Sequence, residues 1–152
     1  MPSILSSLSR LALLGALAAG PALAVEKPAA PPRNAGMMPP VSLTVEEADG
    51  AVRCAPAELN LPAESNVEIT INNTTKNQVT LTAPHQFENK NVLHHDGDLV
   101  HVASDDGYLI KANGKGVLRI RTINEGQYPY GCTSVSKQSK PFEGKLTLTK
   151  SQ

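Results

Sequence analysis

From Val67 to Asn72 the chain alternates strictly, with Val67, Ile69 and Ile71 separated by Glu68, Thr70 and Asn72. A period of two sends the apolar side chains to one face of an extended strand and the polar ones to the other, so this segment needs a sheet with one buried side. Leu118 and Ile120 repeat the pattern between Arg119 and Arg121. Val79–Leu81, Val100–Val102, Tyr108–Ile110, Tyr128–Tyr130 and Leu146–Leu148 are five further strand candidates. Turn-forming pairs fall between them at Asn72-Asn73, Asp96-Gly97, Asp106-Gly107, Asn113-Gly114 and Glu125-Gly126, where hairpins require residues that tolerate tight backbone angles. No stretch after the first 24 residues carries a helical period, so the sequence predicts an all-β protein, a Greek-key sandwich or barrel over residues 41–152.

Two segments precede that domain. Met1–Ala24 has one charge, Arg10, then the apolar run Leu11–Ala19, and closes on Ala22-Leu23-Ala24. That is the pattern of a secretory signal peptide cleaved after Ala24, and its apolar run is shorter than a membrane span requires. Residues 25–40 carry Pro28, Pro31, Pro32, Pro39 and Pro40 without strand or helix periodicity, which predicts an extended, disordered tether. Met37-Met38 within it offers thioethers, which suit Cu(I), but two adjacent methionines do not make a coordination sphere. Removing the signal lowers Lys plus Arg from 14 to 13 against 14 Asp plus Glu. A chain so balanced has no electrostatic footprint for nucleic acid or anionic lipid.

The core implied by these strands is poor in large side chains: there is no Trp, and the aromatics are Phe87, Phe142, Tyr108, Tyr128 and Tyr130. Cys54 and Cys132 are the only cysteines, and three readings of them stand. An even count, an exported chain and a thin core favour a disulfide. A type 1 copper centre would need a thiolate, two imidazoles and a weak axial thioether, yet Thr133–Gln152 contains neither His nor Met. An immunoglobulin-like domain is suggested by Tyr130 two residues before Cys132, but lacks the Trp that packs on such a bridge. The Asn-x-Thr sequons at Asn72 and Asn73 read as a turn.

Cys54-Ala55-Pro56, Leu61-Pro62-Ala63, the strand Val67–Asn73, the run INEGQYPYGC over Ile123–Cys132 and FEGKLTL over Phe142–Leu148 occur in that order. Together they resemble the cupredoxin-like domain of the EfeO type, found in bacterial periplasmic iron and copper uptake proteins. The resemblance implies a stand-alone cupredoxin-like module, a place in copper or iron homeostasis or transport, and a transporter partner in the periplasm or inner membrane. Members with a proposed metal site carry acidic residues beside the two cysteines; Thr80 and Thr82 stand at roughly the first of those positions.

Relative to that pattern, about residues 84–112 form an insertion, and all four histidines, His85, His94, His95 and His101, lie inside it. Imidazoles beside Asp98 are a ligand set suited to Cu(II), Zn or Fe. His94, His95 and His101 are therefore the first metal-site candidates, with His85 and Asp98 as helpers, and copper or iron is the expected cofactor. In a flat strand His94 and His95 would face opposite ways. Neither a Gly-x-Ser-x-Gly elbow nor a His-Glu-x-x-His pair is present, so the expectation is a non-enzymatic, metal-handling protein. The competing expectation is a disulfide-tied sandwich that docks a partner without metal.

Overall fold

The computed structural model describes residues 40–102, 106–136 and 140–150; the signal peptide and tether expected over 1–39 lie outside them. Eleven strands run in chain order: β1 Val41–Ala48, β2 Ala51–Ala55, β3 Glu58–Pro62, β4 Asn66–Asn73, β5 Val79–Thr82, β6 Val92–Gly97, β7 Leu99–Val102, β8 Gly107–Ile110, β9 Lys115–Arg121, β10 Gly126–Ser134 and β11 Phe142–Thr149. A single 3-10 turn, Asn89–Asn91, precedes β6. No α-helix occurs among the described residues, and none there is long and apolar enough to cross a membrane.

The strands form two sheets, ordered β2-β1-β4-β9-β6 (sheet A) and β3-β11-β10-β5-β8-β7 (sheet B). The alternation read from the sequence sets the packing. Val67, Ile69 and Ile71 of β4 pair with Ile120, Leu118 and Gly116 of β9, and their side chains join the core with Leu43 and Val45 of β1. Sheet B answers with Leu59 and Leu61, Val79 and Leu81, Tyr108 and Ile110, and Leu146 and Leu148. Burying each such side chain contributes roughly 1.5–3 kcal/mol, which is the main source of stability for the sandwich. Two pairings are parallel, β1 with β4 and β3 with β11.

Each flank of the sandwich is a single run of chain that leaves sheet A and enters sheet B. On one flank β2 passes to β3 through the cis peptide Ala55-Pro56. There Cys54, 2% exposed, is disulfide-bonded to Cys132 of β10, 0% exposed, across a Cα–Cα distance of 5.9 Å and 78 residues of sequence. Tyr130 Oη donates a hydrogen bond to the Pro56 carbonyl, so the tyrosine two residues before Cys132 is tied to the crossing segment. On the other flank β6 passes to β7 through Asp98 alone. Segment 84–112 thus supplies an edge strand to each sheet, plus β8, whose Tyr108 and Ile110 are fully buried.

The Asn72-Asn73 turn has a definite job. The Asn73 side chain is 1% exposed; its amide donates to the Asn77 and Lys111 carbonyls, each at 2.9 Å, while its Oδ1 accepts from the Thr75 backbone and hydroxyl. One short amide therefore satisfies the backbone of two neighbouring loops that no ladder serves.

Candidate functional site

The β6–β7 crossing begins as a local backbone event. Gly97 has φ 79°, and a Cβ there would collide with the Lys115 carbonyl, so only glycine turns the chain at this point. Asp98 then pins the crease to the β8–β9 turn. Its N–H donates to Lys115 O at 2.8 Å, its Oδ2 accepts from Lys115 N at 3.2 Å, and its Oδ1 lies 3.3 Å from Lys111 Nζ. The Lys115 N–H and the Lys111 ammonium hold the Asp98 carboxyl below its usual range, as expected when the charged form is the one that is bonded. Asp98 shapes the crease, and both its carboxylate oxygens are already engaged.

A β-bulge sets the phase of the two adjacent histidines. Val92 pairs with Ile120, but the register then slips, so that His94 pairs with Arg119 and His95 with the fully buried Leu118. Two residues of β6, Leu93 and His94, thus oppose one of β9. His95 shares the phase of Leu118 but stays exposed at this sheet edge, while His94, half-buried, pairs beside Arg119. In β7, His101 pairs with Tyr108 and shares its inward face. His95 and His101 stand three residues before and three after Asp98, one on each sheet, and both close on Tyr108. Their ring centroids lie 5.4 and 5.0 Å from that of Tyr108.

Tyr108 is itself fully buried, and its hydroxyl has no hydrogen-bond partner among the described residues. Desolvation pushes its pKa up to about 12. Phe87 packs edge-on against the same ring, with centroids 5.6 Å apart. Gln86 fixes Phe87 in place: its amide donates to Arg121 O at 3.0 Å and accepts from Ile123 N at 3.1 Å. The Phe87 carbonyl then lies 3.3 Å from His101 Nε2. When Nε2 carries the proton it donates to that carbonyl, which leaves Nδ1 with its lone pair free. A backbone carbonyl that orients one ring nitrogen while the other stays available is the usual outer support of a metal-binding imidazole.

The other candidates lie apart from this pair. His85 has φ 66° and an exposed side chain, with Nδ1 3.2 Å from Glu88 Oε1. Lys90 first and His85 second hold the Glu88 carboxyl below its usual value. Of the five residues expected from sequence, His95 and His101 each pack against the Tyr108 ring; among the described residues no group of three or more His, Cys, Asp or Glu is placed to hold a metal. The sequence reading missed Tyr108, Phe87 and Gln86 as parts of the site. Only the shared inward phase of His101 and Tyr108 in neighbouring strands could have flagged them. On the outer face of sheet B, a cleft of about 340 Å³ lies over Gly131, between Pro84, Pro129 and Pro141, and Glu143 is its only carboxylate.

No family model and no curated protein matches this chain. Solved structures do. It superposes on auracyanin B with a TM-score of 0.50 at 16% identity, over 78% of this chain and 92% of that one. The copper-containing nitrite reductase of Thermus scotoductus SA-01 gives 0.50 at 16% identity over 73% of this chain. The multicopper oxidase of Campylobacter jejuni gives 0.51 at 10% over 82%. This chain spans 31% and 32% of the last two proteins. The architecture is therefore a cupredoxin-like Greek-key sandwich. A type 1 copper centre does not fit its residues, because Cys132 is bonded to Cys54 and no His or Met follows it.

Proposed function

We propose that this chain is a periplasmic, non-enzymatic protein that binds and hands on a metal in copper or iron homeostasis or transport. In this reading it is an EfeO-type module comprising residues 41–152 with 84–112 inserted. It is exported by a signal peptide cleaved after Ala24, carried on the proline-rich tether 25–40, and serves a periplasmic or inner-membrane transporter. The cupredoxin-like sandwich supports the class. The observation that carries the reading is the convergence of His95 and His101, from the edges of two different sheets, on one buried ring. His101 is oriented there by the Phe87 carbonyl. Two imidazoles with a free lone pair suit Cu(II) and Zn(II). Calorimetric titration with Cu(II) and Zn(II) tests this. Binding should fall at least tenfold in the double variant His95→Ala, His101→Ala and hold in His85→Ala. Unchanged affinity in the double variant sinks the assignment.

The Cys54–Cys132 disulfide favours a second reading, a metal-free interaction module whose cysteines serve stability alone. An absence of any bound metal in protein purified from its own periplasm would favour that alternative.

A further inference from the structure

We infer that the His95–His101 pair is half of a metal centre that a second copy of this chain completes. The inference rests on the metal-binding reading above and goes beyond it. The pair supplies two imidazoles, and among the described residues no third His, Cys, Asp or Glu joins them in a metal-holding group. Zn(II) at a closed protein site takes four ligands in a tetrahedron. Two pairs related by a two-fold axis supply four imidazoles, and a two-fold interface is self-complementary, so the contact closes at a dimer.

The location of the pair fits this partner. His95 and His101 lie on β6 and β7, the outermost strands of sheets A and B on the same flank. Each strand has a neighbour on one side only, which leaves backbone donors and acceptors directed outward, as at any sheet edge. Leu93 on β6 is 42% exposed and Val100 on β7 is 53% exposed; only Val135 joins them as an exposed large apolar side chain among the described residues. His95 is itself exposed on this edge, and the edge has open hydrogen-bonding capacity, so a second copy docked along β6 and β7 would cover both. The opposite flank has no comparable set, because its cysteines are consumed in the disulfide.

The test is a Zn(II) titration of the full chain, followed by light scattering after size exclusion, with bound zinc counted in each peak. The expected result is a zinc-dependent dimer, about twice the monomer mass, holding one zinc per two chains and dispersed by chelator. His95→Ala and His101→Ala should each lower zinc affinity at least tenfold and abolish the dimer, with far-UV circular dichroism confirming that each variant folds. Val100→Asp, which leaves both imidazoles in place, should weaken the dimer. One zinc bound per monomer, with no change in mass, overturns this inference and leaves the metal-binding reading standing. No zinc or copper bound at all removes both, and a dimer that survives both histidine variants assigns dimerisation to another surface.

Discussion

The two flanks of the sandwich solve the same problem in opposite ways. On each, one run of chain crosses from sheet A to sheet B, and on each a buried tyrosine sits at the crossing. At the β2–β3 flank the crossing is locked by Cys54–Cys132, and the Tyr130 hydroxyl is bonded to Pro56 O. At the β6–β7 flank there is no covalent tie. The Tyr108 hydroxyl has no partner among the described residues, and the ring packs against Phe87, His95 and His101. The first flank has spent its polar groups on structure.

The largest effect should come from breaking the locked flank. Removing the disulfide in Cys54→Ala, Cys132→Ala frees a 78-residue separation, worth about 4 kcal/mol in the chain-entropy treatment. Calorimetry should show a correspondingly lower Tm, and reductant should produce the same shift in the parent protein. A smaller loss, about 2 kcal/mol, is expected from Gly97→Ala at the open flank: the left-handed backbone penalises any side chain, and the Lys115 carbonyl must move. Denaturant unfolding that reveals no loss would mean that the crease relaxes freely. The smallest and sharpest test compares the tyrosines. Tyr130→Phe should cost about 1 kcal/mol, the net worth of a hydrogen bond, while Tyr108→Phe, which deletes an unpartnered hydroxyl, should be neutral or stabilising. Equal losses in the two variants would erase the distinction between the flanks.

Much of the sandwich was legible in the sequence because a half-buried strand writes its phase into alternate residues. Val67–Asn72 and Leu118–Arg121 alternate, and they pair as β4 and β9. The seven strand candidates are all found within strands. β1, β2, β3 and β6 were not among them; for β6 the reason is physical, since VLHHDG is an edge strand with no residue fully buried, and its bulge breaks the period that would reveal it. The same bulge hid the phase that His95 shares with Leu118. His94 and His95 do face opposite ways, as extended backbone requires. Partners such as Gln86 and Phe87 leave no trace in periodicity, because they act from a turn through single hydrogen bonds and one ring contact. The cysteine pairing could be framed from number and spacing, but choosing among its three readings took the geometry.

The parallel pairing of β3 with β11 governs when this molecule can form at all. Leu59 and Leu61 lie beside Leu146 and Leu148, and β11 is the strand that fills the gap between β3 and β10. During synthesis, therefore, β3, the third strand made, waits for β11, the last of the eleven. Until then Leu59 and Leu61 have no neighbour to pair with, and non-local pairings of this kind form slowly. A chain built this way leaves the β3 edge of sheet B unpaired until β11 has been made.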